Sequence, residues 1–126
     1  MKKILLMLIP LLMFASFMRE GIRLYKQQDY KGALQAFQNA IDEDDSINAY
    51  YFVGLFYLRG YGVKPDLEKA ARFLKKAYLA GNARAACLLG EIYHKQHKEQ
   101  KAKSLIQQGL REGAPECRSL AEEVGL

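Results

Sequence analysis

Apolar residues in the middle of the chain recur at the spacing of an amphipathic helix. Four of them stand at i, i+3, i+4 and i+7 and so share one helical face: Tyr50, Val53, Gly54 and Tyr57. A second run repeats this period, with its apolar face at Leu67, Ala70, Ala71, Leu74, Ala77 and Tyr78. Asp66 is a suitable N-cap for the second run, and Gly81 is a suitable left-handed C-cap. The pattern predicts two helices joined by a loop over residues 60–65.

Similar patterns flank this helix pair on both sides. Downstream, helices are predicted over 82–96 and 99–111, followed by a short terminal helix over 116–124. Upstream, small and aromatic residues stand at the spacing of another pair of crossing helices: Gly21, Tyr30, Ala33, Phe37 and Ala40. Residues 42–45 are all acidic and are expected to be a solvated linker. The sequence therefore predicts an all-α protein.

The central pattern also repeats along the chain. Gly54-x-x-Tyr57 returns as Gly90-x-x-Tyr93, which is 90 − 54 = 36 residues later. Self-similarity at this period is typical of stacked supersecondary units, each of which buries its apolar face only against its neighbours.

The residues between the two copies resemble the Sel1-like repeat family, a longer-looped relative of the tetratricopeptide repeat. The resemblance rests on glycines, alanines and aromatic residues at fixed spacing, namely Gly54, Tyr57, Gly60, Gly62, Val63, Asp66, Lys69, Ala70, Lys76, Ala77, Gly81, Ala85, Leu89, Gly90 and Tyr93. It implies a right-handed α-solenoid of about three antiparallel helix pairs with a C-terminal capping helix. The units are expected at about 19–45, 46–81 and 82–113, and the cap at 114–126.

The first 18 of the 126 residues have the composition of a targeting segment. Lys2 and Lys3 precede an apolar run over residues 4–17, which is shorter than the roughly 20 residues of a membrane span. We expect residues 1–18 to be a signal peptide or an N-terminal hydrophobic segment, and the protein to be periplasmic or secreted. The alternatives are an inner-membrane anchor formed by residues 4–18, or an apolar start to the first helix.

The remaining composition offers little chemistry. The net charge of +5 is too small and too mixed to indicate a nucleic-acid partner. No serine begins Ser-x-x-Lys or stands in Gly-x-Ser-x-Gly, and His94 and His97 are the only histidines, whereas zinc takes three or four ligands. We therefore expect no catalytic residues, no metal and no cofactor.

The chain has two cysteines, Cys87 and Cys117. In an exported protein two cysteines can pair, although buried small apolar residues are the alternative. Cysteine-rich exported members of the resembled family carry a disulfide between the paired helices of each repeat. That arrangement does not transfer here, because Cys117 matches the position of Ala85 and no later helix supplies its partner. A bridge between Cys87 and Cys117 would instead join neighbouring first helices.

The resemblance also implies a function. Stacked helix pairs curve, so their first helices line a concave face that binds peptides. The residues expected on this face are Asn48, Tyr51, Leu55, Arg59, Arg84, Glu91 and Lys95, of which Tyr51, Arg59 and Arg84 have side chains enriched at interface hot spots. The expected function is a non-catalytic adaptor of the bacterial cell envelope that binds a protein or peptide.

Two alternatives stay open. One is a weak β-lactamase or penicillin-binding protein, as some cysteine-rich exported members of the family are described, although the nucleophile motif is missing. The other is an immunity or toxin-neutralising partner.

Overall fold

The computed structural model describes residues 17–126, and these residues form seven helices. Their bounds are 17–26 for α1, Tyr30–Asp44 for α2, Ile47–Arg59 for α3, Leu67–Leu79 for α4, Ala83–Lys95 for α5, Glu99–Arg111 for α6 and Cys117–Glu123 for α7. Each helix packs against the next, and the first helices of successive units also touch, α3 with α5 and α5 with α7. The predicted all-α solenoid is confirmed: three helix pairs are followed by the short helix α7.

Most of the expected N-terminal segment, residues 1–16, lies outside the described part of the chain. Its last two residues, Phe17 and Met18, belong to α1 and pack against the buried cluster around Phe37. The expected boundary after residue 18 therefore falls inside a helix of the first unit, and a cut there would remove apolar contacts from that unit.

Local capping signals set most of the helix starts. The Asp66 carboxylate accepts a hydrogen bond from the backbone N–H of Lys69, 3.0 Å away, as predicted for an N-cap. Asp29, Ser46 and Asn82 cap α2, α3 and α5 in the same way. These side chains satisfy backbone donors that would otherwise lack partners at the helix ends.

The two helices of every unit cross at a glycine. The glycine lies on the first helix and faces a large apolar side chain of the second, the pairs being Gly21 with Phe37, Gly54 with Leu74 and Gly90 with Ile106. A Cβ atom on these glycines would come within 2.5, 2.5 and 2.6 Å of the facing side chain. The missing side chain thus permits the close approach of the helices, and the same packing recurs three times.

The middle unit differs from its neighbours in the length of its loop. The glycine and its partner are 37 − 21 = 16 residues apart in the first unit, 74 − 54 = 20 in the second and 106 − 90 = 16 in the third. The extra residues lie in the loop 60–65, where Gly60 and Gly62 have φ angles of +74° and +68°. Glycine adopts this left-handed region without a steric penalty.

The long loop packs against the first unit. Tyr61 stacks on Tyr30 with ring centroids 4.6 Å apart, and a Cβ atom on Gly62 would lie 2.7 Å from the carbonyl carbon of Tyr30. The extra residues therefore bind the second unit to the start of α2.

One backbone contact is common to all three units, whatever the loop length. The N–H at the start of the second helix donates to a carbonyl near the end of the first, at 2.8–2.9 Å. The donor and acceptor pairs are Asp29 with Leu24, Asp66 with Tyr57, and Lys98 with Tyr93. This hydrogen bond therefore defines which positions are equivalent in the three units.

A disulfide joins α5 to α7. Cys87 and Cys117, which the sequence left as either a bridge or two buried thiols, are bonded with a Cα–Cα distance of 5.0 Å, and both are fully buried. Gly109 of α6 lies against the bridge, since a Cβ atom there would be 2.4 Å from the Cys117 sulfur and 2.7 Å from that of Cys87. The bridge thus attaches a helix of seven residues to the body of the solenoid.

We predict that Gly90→Ala destabilises the protein. Helix propensity alone would make this substitution stabilising by roughly 0.5–1 kcal/mol, whereas the new Cβ would overlap Ile106 and cost about 1–3 kcal/mol. The net sign is measured by urea denaturation followed by circular dichroism, with Gln107→Ala on the exposed face of α6 as the control. A more stable Gly90→Ala protein would show that the two helices separate easily.

We also predict that Cys87→Ala/Cys117→Ala lowers the free energy of unfolding by roughly 3–4 kcal/mol, because the bridge closes a loop of about 30 residues in the unfolded chain. The wild type in a reducing agent should approach the double variant in thermal midpoint. Alkylation and intact mass under non-reducing, denaturing conditions provide the check on the bond itself, and two modified thiols per chain would contradict it.

Candidate functional site

The first helices of the solenoid enclose a groove of about 570 Å³. All of its lining residues come from α1, α3, α5, and α7 with its preceding residue, and they are Tyr25, Tyr51, Leu55, Arg59, Arg84, Leu88, Glu91, His94, Lys95, Glu116, Ser119, Leu120 and Glu123. We call this cavity the groove. Its lining is mixed in polarity, with charged, aromatic and leucine side chains.

Helical periodicity brings the lining residues of one helix together. On α3 they are four residues apart, at Tyr51, Leu55 and Arg59, so they lie one above another on the same face. Six of the seven residues expected on the concave face line the groove. The seventh, Asn48, is exposed in the first turn of α3 and lies outside it.

Tyr51 forms the floor of the groove and is not the exposed contact that we expected. Its residue exposure is 2%, the Arg84 guanidinium lies 4.6 Å from its ring centroid, and its hydroxyl is 3.5 Å from Glu116 Oε1. Burial raises the pKa of Tyr51 to about 12, against the opposing charge of Arg84. Arg84 and Glu116 cover this ring because the cap helix follows directly on the third unit.

Arg59 and Glu91 form an ion pair across the groove, between α3 and α5. Arg59 Nη2 donates to Glu91 Oε1 at 2.7 Å and Nη1 donates to Oε2, so the pair is bidentate. Lys95 Nζ lies 3.4 Å from Glu91 Oε2. Arg59 is therefore an internal partner of a buried carboxylate, which is only 7% exposed, and not a free contact for a ligand.

The ion pair determines the charge state of Glu91. Burial alone would raise its pKa, but the hydrogen bond and the charge of Arg59, together with Lys95, lower the pKa below its ordinary value. The hydrogen bond to Glu91 raises the pKa of Arg59. Both groups are charged at neutral pH, and they hold the second unit to the third.

A second ion pair closes the other end of the groove. Arg84 Nε donates to Glu116 Oε1, which connects α5 to the residue before α7. Glu116 Oε2 is buried without a hydrogen-bond partner among residues 17–126. Arg84, like Arg59, thus has an acidic partner within the protein.

Helix α7 also contributes to the groove, which we did not predict from the sequence. The sequence does contain an indication of this contribution, because Cys117 takes the place in its unit that Ala85 takes 32 residues earlier. The same shift puts Glu116, Leu120 and Glu123 at the places of Arg84, Leu88 and Glu91, all of which line the groove. The predicted capping helix therefore also supplies one wall of the groove.

The histidine at the edge of the groove has an acidic neighbour. His94 Nδ1 lies 3.0 Å from Glu99 Oε2, at the edge of the groove. Within residues 17–126, no three His, Cys, Asp or Glu side chains come together in an arrangement that could hold a metal ion. No helix in that same span has the length and apolar character needed to cross a membrane.

Comparison with known proteins agrees with this geometry. The Sel1 repeat family model matches residues 47–82, which are α3, the long loop, α4 and the turn that follows. The ERAD-associated E3 ubiquitin-protein ligase component HRD3A of Arabidopsis thaliana is 39% identical over 77 residues. That match covers 52% of this chain and 11% of the plant protein, so the chain spans about a tenth of that relative's length.

Two solved structures share the fold. A Sel1 repeat protein from Oxalobacter formigenes superimposes with a TM-score of 0.73 at 23% identity, over 90% of this chain and 50% of that one. The N-terminal domain of stress-induced protein-1 (STI-1) from C. elegans superimposes with a TM-score of 0.66 at 22% identity, over 90% of this chain and 94% of that one. The family match identifies residues 47–82, the long-looped second unit, as a Sel1 repeat, and the plant relative supports a likeness of the chain to the Sel1-like repeat family.

Proposed function

We propose that this protein is a non-catalytic scaffold that binds a peptide segment of a partner protein in the groove, and that it does so in the bacterial cell envelope. Helical repeats of the Sel1 and tetratricopeptide kinds are protein–protein interaction scaffolds. The observation that supports the groove most directly is its composition: side chains from four successive first-helix positions converge on one concave surface.

The groove is preformed, which favours binding. Its floor is the buried Tyr51, and ion pairs from Arg59 and Arg84 fix its walls. A partner therefore binds without ordering these side chains, and this lowers the entropic cost of association.

The groove also has no excess of one charge that would select a strongly charged ligand. Its cationic side chains Arg59, Arg84 and Lys95 are balanced by Glu91, Glu116 and Glu123. Leu55, Leu88 and Leu120 also line the groove, and Leu55 is the one of the three that is only partly buried. This composition fits a peptide of mixed character whose apolar side chains contact the leucines.

Export is part of the proposal. The composition of residues 1–18 supports a secretory or anchoring role for that segment. The disulfide between Cys87 and Cys117 also supports an oxidising compartment such as the periplasm. β-Lactam hydrolysis is the enzymatic alternative, and turnover of nitrocefin by the purified protein would favour it.

We predict that Ser119→Arg abolishes partner binding. Ser119 is exposed on α7 and lines the groove, so a large side chain there blocks the groove without removing a buried contact. A photo-crosslinking amino acid at Leu55, introduced into the full chain in bacterial cells, should give a protein adduct in the envelope fraction. The adduct should be lost on adding Ser119→Arg and kept on adding Gln107→Arg, which places the same charge on α6 outside the groove.

An adduct that persists with Ser119→Arg would show that the partner does not occupy the groove. An adduct found only in the cytoplasmic fraction would contradict the proposed location but not the binding site. Absence of any adduct, together with nitrocefin turnover, would replace the scaffold by the enzymatic alternative.

We also predict that Glu91 makes the stability of the folded chain sensitive to acid. Its pKa is lower in the folded state than in the unfolded state, so its contribution is present above the unfolded pKa of about 4.3 and is lost as the pH falls through the folded value. Urea denaturation between pH 3 and pH 7 should show a smaller loss of stability on acidification for Glu91→Gln than for the wild type. Glu112→Gln, at an exposed site after α6, should follow the wild type, and equal slopes for all three proteins would contradict the prediction.

A further inference from the structure

Two cavities other than the groove are lined by side chains from both helices of a unit. The cavity of the second unit measures about 370 Å³ and is lined by Tyr50, Tyr57, Lys69, Arg72, Phe73 and Lys76. The cavity of the third unit measures about 360 Å³, and its lining includes Tyr93, Lys101, Ser104 and Leu105. We call them the outer pockets. They share no lining residue with the groove.

The outer pockets are the same pocket built twice by the repeat. The rings Tyr57 and Tyr93 are equivalent, because each carbonyl accepts the N–H at the start of the following helix. The donors of this bond are Asp66 and Lys98. Lys69 and Lys101 each lie three residues after their donor, so they are equivalent. In the first unit the corresponding residues are Leu24 and Gly32, so the aromatic ring and the lysine occur together in the second and third units.

The lysines at the outer pockets differ from the cations of the groove. Within residues 17–126, neither Lys69 nor Lys101 has a carboxylate oxygen within 4.0 Å, whereas Arg59, Arg84 and Lys95 all have one. Lys69 Nζ lies 5.4 Å from the ring centroid of Tyr57, and Lys101 Nζ lies 5.7 Å from that of Tyr93. Each lysine therefore lies over a ring with its charge unneutralised by an acidic side chain of the described chain.

Further unneutralised charge surrounds these two lysines. Arg72 lines the pocket of the second unit and Lys75 that of the third, and both are exposed on α4 without an ion pair to a described carboxylate. Lys76 Nζ lies 3.5 Å from Oδ1 of Asp45, and both side chains are exposed. Two exposed partners in water attract each other weakly. The rim of both pockets is thus positively charged, and this charge selects a negatively charged ligand.

The arrangement of the rings favours a peptide over a nucleic acid. Single-stranded nucleic acids bind by stacking bases on free aromatic faces. Here Tyr57 stacks on Phe73, with centroids 5.9 Å apart and an interplanar angle of 7°, and Lys69 lies over the Tyr57 ring. Two lysines, Lys98 and Lys101, lie over the ring of Tyr93. These rings form an apolar floor and offer little free face for a base.

We propose that the outer pockets bind an acidic segment of a partner protein, which places one apolar side chain in each pocket and carboxylates beside Lys69 and Lys101. The first helices that carry Tyr57 and Tyr93, α3 and α5, pack against each other, and packed helices are about 8–10 Å apart. A polyproline II chain advances about 3.1 Å per residue and returns to the same face every third residue. The two apolar side chains should therefore be three residues apart, with acidic residues between and around them. This surface is separate from the groove, so the protein can hold two segments at once.

The test is a fluorescence anisotropy titration of the full chain with a labelled probe peptide, Asp-Glu-Leu-Asp-Glu-Leu-Asp-Glu. We expect saturable binding that weakens with added salt, as charge-driven association does. The variant Lys69→Glu/Lys101→Glu should bind about tenfold more weakly or worse, because it replaces attraction by repulsion at both pockets. Lys31→Glu/Lys103→Glu changes the net charge equally at exposed sites outside the pockets and should bind within about twofold of the wild type.

Three controls make the result specific. A peptide with its two leucines adjacent should bind more weakly than the probe, and the same sequence with lysine in place of each acidic residue should not bind. Lys69→Gln/Lys101→Gln, a milder change, should give an intermediate affinity. Circular dichroism spectra that match the wild type establish that each variant is folded, since all four substituted lysines are exposed.

Several outcomes would overturn the proposal. One is the absence of probe binding to the wild type at millimolar concentration. Another is an equal loss of affinity in the two charge-reversal variants, which would indicate a non-specific charge effect. Loss of probe binding with Ser119→Arg would place the probe in the groove. Tighter binding of a single-stranded oligothymidine than of the probe, with the same dependence on Lys69 and Lys101, would identify a nucleic-acid surface instead.

Discussion

The close contact between the two helices of each unit is the constraint on which the rest of the structure depends. A glycine of the first helix faces Phe37, Leu74 or Ile106 of the second, and a Cβ atom would not fit between them. The crossing is therefore tight in all three units. Because the crossing and the backbone bond at the start of each second helix are common to the units, loops of different length lead to the same helix pair.

The repeated crossing decides where the remaining side chains go. It turns one face of every first helix towards the groove and one face of every second helix towards the outer surface. The cations on the two surfaces have different surroundings as a result. Arg59 and Arg84 meet carboxylates of the next unit and stabilise the shape of the groove, whereas Lys69 and Lys101 lie over aromatic rings. Arg59 and Arg84 thus have a structural role, whereas Lys69 and Lys101 have no acidic partner among residues 17–126.

The disulfide compensates for the shortness of the last helix. A helix of seven residues buries little surface, and α7 packs against α5 and α6 of the third unit. The bridge from Cys117 to Cys87 holds it there, with Gly109 making room for the sulfur atoms. Glu116 and Leu120 are placed by this attachment, so the wall that they add to the groove depends on a covalent bond.

The sequence by itself determined the helices, their order and the repeat, because these follow from local signals. Apolar periodicity, N-caps such as Asp66 and the recurrence of Gly-x-x-Tyr act within about one helix pair, and the structure agrees with each of them. The same signals predicted a set of seven concave-face residues of which six line the groove, since positions on one helical face stay together.

Only the tertiary structure decided what those residues do. Tyr51 is buried, and Arg59 and Arg84 are paired with Glu91 and Glu116, which are 32 residues further along the chain in each case. A single helical wheel contains no information about such partners, because they meet only when successive units stack. The pairing of Cys87 with Cys117 likewise depends on how α7 returns to α5. Local pattern fixed the elements of this protein, and the stacking of its units fixed the burial and the charge of its surfaces.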